Sequence, residues 1–385
     1  MMKQRIYLDN SATTRVDDLV LEAMLPCFQE KFGNASSVHL FGQEARTVVE
    51  EARRSVAELI GADPREVVFT SGGTEADNWA LWGMIRGGRG NHIITTAIEH
   101  PAILETCKVV ESQGAEVTRV SVDSSGRVDP QAIREAIREN TTLISVMHAN
   151  NETGVIQPIE EISGIARERG IVFHTDAVQS VGKIPVDVDR LGVDLLSLSG
   201  HKIHGPKGIG VLYIRKGTRI APFMTGGSHE RKRRAGTENV PAIVGLGAAA
   251  RLARERLPEM GRRIAELRDH IENEASDRIN GVRVNGLEPR LPNITNLSFE
   301  RLEGEAAVIA MDLDGVAVST GSACSSGSLE PSHVLMAMGL RPEVVQSSLR
   351  FSLCFHNTVQ EVDCMLQTLQ KVVGRLRKLA KRVSG

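Results

Sequence analysis

The stretch "DLLSLSGHKIHGPKGIGVLYIR", Asp194 to Arg215, decides the fold. Two runs in it, "DLLSLS" (Asp194–Ser199) and "GVLYIR" (Gly210–Arg215), read as strands. The connection between them is short and broken by Gly200, Gly205, Pro206 and Gly208. A parallel pair needs a crossover of a dozen or more residues, usually a helix, so this pair should be antiparallel. At the mouth of the first strand Lys202 stands between His201 and His204. It reads either as a solvated charge or as an amine held for covalent work.

Working outward, five further strand candidates precede this pair: Glu66–Thr70, His92–Ala97, Glu116–Val122, Thr142–His148 and Ile171–Thr175. Helical patterns such as "EARTVVEEARRSVAELIG" separate most of them. The expected fold class is therefore α/β, with a seven-stranded, mostly parallel mixed sheet covered on both faces. From Leu252 the character changes. "LARERLPEMGRRIAELRDHIENEA" reads as a long charged helix, and "VRVNG", "ITNLSFE" and "GVAVST" suggest a smaller sheet. The expected division is a large domain over 15–255 and a smaller α+β domain formed by 1–14 and 256–385.

Composition bounds the function. The 385 residues carry a net charge of −2 and only 3% aromatics. Near-zero charge argues against a nucleic-acid binder held by bulk electrostatics, and scarce aromatics argue against base-stacking surfaces. The opening "MMKQRIYLDN" has no apolar core of a signal peptide, and no run reaches the roughly 18 apolar residues of a membrane span. The five cysteines, odd in number and without a CxxC, fit a reduced cytoplasmic protein with no disulfide framework and no structural zinc. The basic tail "KVVGRLRKLAKRVSG" reads as a last helix whose cations suit the helix dipole.

Open α/β sheets bind ligands at the carboxyl ends of their strands. Five polar clusters fall at such ends here: "SGGTEADN" with Gly73 and Thr74, "IEHPA" with His100, "ANNETG" with Asn151, "DAVQS" with Asp176 and Gln179, and "GHKIHGP" with Lys202. Ser71-Gly72-Gly73-Thr74 opens a helix near Glu75. It reads as a phosphate cup of backbone N–H groups or as a simple N-cap. Asp176 reads as the counter-ion of a protonated ring nitrogen or as a helix cap. Together with a flat ring at His100, the set suits pyridoxal phosphate: a lysine for the Schiff base, an acid for the pyridinium, a cup for the phosphate. His201 and His204 as metal ligands lack a nearby carboxylate or cysteine.

A second stretch, "VSTGSACSSGSLEPSHVL", is almost all small residues around Cys324. Such residues bury too little to offset the entropy of ordering them, which predicts a moving loop with an accessible thiol. Arg350, on the strand-like "SSLRFSLCFHNT", needs an anion, either a substrate carboxylate or a structural acid. "HERKRRAGTEN" (His229–Asn239) resembles a nucleic-acid patch in isolation, or else a loop near the phosphate.

These motifs, with "YLDNSATT", "GNASSVH", "EHPAILET", "NNETGVIQPI", "HTDAVQSVGKIPVDV", "SGHKIHGPKGIG", "RAGTEN", "GSACSSGSLEPSHVL" and "LRFSL", resemble cysteine desulfurases of the NifS/IscS type over essentially the whole chain. That family belongs to the class V aminotransferases, pyridoxal-phosphate enzymes of aminotransferase fold type I. The "GSAC" wording places the chain with the long-loop group. The resemblance implies that Lys202 holds the cofactor, His100 stacks on its ring, Asp176 pairs with the ring nitrogen, and Gln179 and Asn151 lie at the ring hydroxyl. It implies phosphate contacts from Gly73, Thr74, Ser199 and His201, with Thr237 reaching from the second subunit of a homodimer. Arg350 with Asn151 would bind the substrate carboxylate. Cys324 would take sulfur as a persulfide, turning L-cysteine into L-alanine and supplying iron–sulfur cluster assembly or other thio-cofactors. No metal is implied, beyond Cys324 standing open as a transient iron–sulfur ligand. The implied partners are L-cysteine, a second subunit and an iron–sulfur scaffold or other sulfur acceptor, in the cytoplasm, with no membrane and no stable nucleic-acid binding. A selenocysteine lyase or another class V enzyme is the alternative. Two positions depart from the family pattern: Cys354 stands where glycine is common, and "ERKRRAG" is unusually basic.

Overall fold

A computed structural model of the chain describes residues 5–87, 90–320 and 331–383. The strands are β1 (Ile6–Tyr7), β2 (Val67–Thr70), β3 (His92–Thr96), β4 (Glu116–Val120), β5 (Thr141–Ser145), β6 (Val172–Asp176), β7 (Leu195–Ser199), β8 (Gly210–Ile214), β9 (Val282–Asn285), β10 (Ile294–Phe299), β11 (Val316–Ala317) and β12 (Ser348–Ser352). Seven of them form one sheet in the order β2-β8-β7-β6-β5-β3-β4. β8 runs antiparallel to both its neighbours, as the short connection after β7 requires, and every other pairing is parallel. Every residue of β2, β3, β5, β7 and β8 is buried, because helices cover both faces. The edge strand β4 carries Glu116, Thr118 and Arg119 and is only partly covered, which protects it from pairing with other chains.

The helix Leu40–Ile60 places Ala45, Val48, Val49, Ala52, Val56 and Ala57 on its buried face and ends at Gly61, whose φ of 68° forms the left-handed cap. It packs along the helix Val240–Arg278. That long helix starts twelve residues before the charged stretch that announced it in the sequence. Its first turns are small and buried, so charge periodicity does not mark them. The start signals are Asn239, whose side chain accepts from the Ala242 N–H at 3.2 Å, and Pro241 in the first turn.

The long helix serves two apolar cores. Val240 to Leu252 pack in the core beneath the large sheet, while Ile264, Leu267 and Ile271 pack with Leu297, Phe299, Leu349, Phe351 and the N-terminal Ile6 and Leu8. The smaller sheet differs from expectation in one strand. It has the order β12-β10-β9, all antiparallel. The third member is the strand of Arg350, not "GVAVST". The latter contributes only β11, which pairs in parallel with β1. The strand over 142–148 also stops sooner, at Ser145, where the chain turns out of the sheet toward Asn151.

Candidate active site

The segments that follow β2, β3, β5, β6 and β7 meet outside the carboxyl ends of those strands. A cavity of about 270 Å³ lies there, near the low end for ligand pockets. Lys202 enters it from the 3₁₀ turn Gly200–Lys202 that follows β7. Its ammonium donates to the carbonyls of Ser11 at 2.5 Å and Ala12 at 2.8 Å. The turn is fixed from several sides. The His201 carbonyl accepts the Thr14 N–H at 3.0 Å and hydroxyl at 2.8 Å, and Thr14 Oγ1 accepts the His204 N–H at 2.9 Å. Lys183 Nζ donates to the Lys202 carbonyl at 2.5 Å. His201 lines the cavity, whereas His204 packs beside Phe355, ring centroids 4.5 Å apart, with φ at 64°.

Asp176 is the last residue of β6 and is buried in the cavity wall. Its Oδ1 accepts the Val178 N–H at 2.9 Å, so it caps the following turn as well as facing the cavity. Burial pushes its carboxyl up to about 6 against the Val178 hydrogen bond and the Lys202 charge, which both lower it. Behind it, Asp77 is buried on the helix Gly73–Arg86, raised by burial and then by the Asp176 charge. The buried His174 ring bridges Ser145 Oγ at 2.8 Å and Ser197 Oγ at 3.0 Å.

His100 caps the helix Pro101–Ser112, with Nδ1 accepting the Ala102 N–H at 3.1 Å, and its ring lines the cavity. Burial, then the charges of Lys202 and His333, push it down to about 4, which keeps the ring neutral at ordinary pH. The helix expected near Glu75 begins at Gly73, after Gly72, which supplies no side-chain cap. Glu75 takes the Ser71 N–H at 2.7 Å, so the first-turn amides at Gly73 and Thr74 are the ones turned to the cavity end of the helix. A Cβ on Gly73 would stand 2.8 Å from Val178 Cγ2, and one on Gly210 would meet the Gly72 backbone at 2.6 Å. Ser199 and His201 close the cup, and burial, then Lys202, hold the His201 ring down at about 4.

On the opposite wall stands Arg350, which is 1% exposed. Nη1 donates to the Asn151 carbonyl at 3.0 Å and Nη2 to Asp9 Oδ1 at 2.7 Å, while its buried Nε has no partner among the described residues. This arginine thus has a structural acid, Asp9, and also lines the cavity. Gln179 donates to the Ser11 carbonyl at 3.0 Å.

Ten residues singled out from the sequence thus share one cavity. Thr237 does not line it and is exposed. Cys324 lies outside the described residues. Its flanks are described: Ser319 pairs with the Arg350 backbone, its carbonyl accepting at 2.7 Å, and Ser332 donates to Glu152 Oε2 at 2.5 Å. Sequence reasoning missed Asp9, Ser11, Ala12 and Asp77; the signal available was the polar "DNSATT" directly after a two-residue strand. The basic segment His229–Asn239 is tied down at particular residues, its acid Glu230 included. Arg53 holds Glu230 through two bonds of 2.8 Å, Arg234 holds Glu75 at 2.8 Å, and Arg231 donates to the Arg65 carbonyl at 2.9 Å. Cys354 is buried, and burial pushes its thiol up. No described helix is long and apolar enough to cross a membrane.

The chain is similar to known proteins over nearly its whole length. The chain is 51% identical to the cysteine desulfurase IscS of Dictyoglomus turgidum, over 98% of this chain and 97% of that protein. A solved NifS-like protein superposes with a TM-score of 0.91 at 41% identity, covering 97% of this chain and all of that one. A structure of SspA in complex with cysteine superposes with a TM-score of 0.81 at 39% identity, covering 90% and 98%. The aminotransferase class-V family model matches residues 6–365, and the chain belongs to that family.

Proposed function

We propose that this protein is a pyridoxal-phosphate-dependent cysteine desulfurase, converting L-cysteine to L-alanine with sulfur carried away on Cys324. The observation that carries the reading is the meeting of Lys202, Asp176, His100 and the Gly73–Thr74 helix start in one cavity. The relatives named cysteine desulfurase support the substrate. The residues fit the cofactor. The amine of Lys202 is gripped by main-chain carbonyls, Asp176 is a buried acid at a strand end, and the hydroxyl of Ser11 is buried with no partner among the described residues.

Pyridoxal phosphate supplies an electron sink for the substrate's Cα. Lys202 holds it covalently and then moves the proton at Cα. Asp176 keeps the ring nitrogen's proton by its charge, and Gln179 and Asn151 position the ring hydroxyl. His100 fixes the ring plane, and its neutrality adds no charge to a site that must hold a phosphate. Gly73, Thr74, Ser199 and His201 bind that phosphate, with Thr237 reaching from a second copy. Arg350 binds the substrate carboxylate by its planar fork. The Cys324 thiolate attacks the substrate sulfur: the S–S bond forms, the Cβ–S bond breaks, and its electron pair returns to carbon, which takes a proton to become alanine. The flanks of its segment sit beside Arg350 and next to Asn151, a short reach from the cavity.

The further reading is a homodimer acting in the cytoplasm and passing persulfide sulfur to an iron–sulfur scaffold or a similar acceptor. Leu25, Phe28, Phe32, Val38, Leu40 and Phe41 are all exposed in the monomer and offer an apolar face for a second copy. We place the domain division near residue 255, within the long helix, giving 15–255 against 1–14 plus 256–385. The test is Cys324→Ala. It should abolish alanine release from cysteine while leaving the cofactor's visible band intact; continued release would show that the nucleophile is another group.

A further inference from the structure

Lys183 lies in the turn after β6, away from the cofactor cavity. Its Nζ points at one atom that matters, the carbonyl of Lys202, at 2.5 Å. The groups facing it are the Cys354 thiol after β12 and the Lys202 amine, with His201 and His204 on the neighbouring turn. Asp176 and His100 face Lys202 from the cavity side. A lysine with a carbonyl as its acceptor and a protonated thiol beside it is an unusual thing to bury, because the charge gains little there. Burial, with the Lys202 charge also lowering it, pushes Lys183 down to about 8, so it is still a cation at neutral pH. The two amines feel each other's charge, and a nearby cation favours an amine's neutral form.

We propose that Lys183 is a positioning residue for Lys202: its ammonium pins the Lys202 carbonyl from below, the Ser11 and Ala12 carbonyls hold the amine from above, and its charge makes that amine give up its proton more readily. The inference rests on the reading of Lys202 as the reactive amine. A like charge packed near an amine disfavours its protonated form and moves its titration midpoint by about one to two units.

The experiment measures the pH midpoint at which Lys202 reacts with trinitrobenzenesulfonate, read by peptide mass spectrometry on the full chain without cofactor. The same variants are then loaded with pyridoxal phosphate, and the pH midpoint of the visible band is recorded. In Lys183→Met both midpoints should rise by about one to two units, and Lys183→Arg should restore them. The wild-type labelling curve should bend again near pH 8, where Lys183 loses its charge. An unmoved midpoint in the Met variant, or an Arg variant that behaves like Met, would overturn the proposal. If the Met variant does not fold, a wild-type curve with a single inflection overturns it equally. If the wild type takes up no cofactor, the reading of Lys202 fails separately, and labelling still reports what Lys183 does.

Discussion

Replacing Arg350 with Gln tests the substrate side of the cavity most directly. The arginine is 1% exposed, so its charge acts with little screening by water. Two of its nitrogens are anchored, on the Asn151 carbonyl and on Asp9, and the buried Nε has no partner among the described residues. A charge-assisted hydrogen bond contributes about 1.5–3 kcal/mol, so a forked pair to a carboxylate is worth about 3–6 kcal/mol. The Gln variant should therefore lose roughly a hundred- to ten-thousand-fold in kcat/KM for L-cysteine. Arg350→Lys keeps the charge without the fork and should lose about half of that energy. Folding should suffer less than activity. Asp9 loses its ion-pair partner, but its side chain is 20% exposed and can rehydrate, so the cost is about 1–3 kcal/mol. The assay is steady-state alanine formation against cysteine concentration, run beside the visible band and a thermal melt. A folded, cofactor-loaded Gln variant that loses less than tenfold in kcat/KM would refute the carboxylate role.

Gly210→Ala should damage the phosphate end of the site without touching a functional side chain. Its Cβ would meet the backbone of Gly72 at 2.6 Å and the Leu198 carbonyl at 2.7 Å, neither of which can rotate away. A loss of about 1–3 kcal/mol in stability, and weaker retention of pyridoxal phosphate on dialysis, are expected. Thermal stability should peak near pH 6.5. Below it, buried His100, His148, His174, His201 and His204, all pushed down by burial to about 3 or 4, are protonated in the unfolded chain first, so stability falls as pH drops from about 6.5 toward 4. The raised acids Glu99, Glu152, Asp176 and Asp77 oppose this in part. Above pH 6.5 the histidines add no further change and the opposite slope is left: folded Glu99 and Glu152 keep protons up to about 8 and about 7 that the unfolded chain has already given up, so stability falls as pH climbs toward 8. Melting curves from pH 5 to 9 check both limbs. Among the described cysteines, iodoacetamide at neutral pH should label exposed Cys364 and spare buried Cys27, Cys107 and Cys354, whose thiols burial pushes up.

The large sheet was legible because its strands are buried on both faces and so read as unbroken apolar runs between helical patterns. The antiparallel β7–β8 pair was legible from the length of its connection alone. The site residues were legible because strand ends concentrate polar chemistry in this class of fold. Lys202, Asp176 and His100 carry residue types that few other roles need together. What escaped is non-local. "GVAVST" alternates like a strand of the smaller sheet, yet only Val316 and Ala317 form a strand, paired with the N-terminus, and Ser319 adds a single bridge to Arg350. Asp9 and Ser11 reach the site through contacts spanning more than three hundred residues, which no local pattern records. The start of the long helix escaped because its first turns are small and buried rather than amphipathic.

The placement of Asp9 to Thr14 has a consequence for synthesis. These residues leave the ribosome long before the partners that hold them: Asn10 hydrogen-bonds the Ser352 carbonyl at 2.8 Å and Ile6 pairs with Val316. A nascent chain can build the seven-stranded sheet early, since all of its strands lie before residue 215. The grip on the Lys202 amine is then completed only after Ser352 has emerged. Until then a growing chain carries Lys202 in an unfinished cradle, although the sheet that presents it is already made.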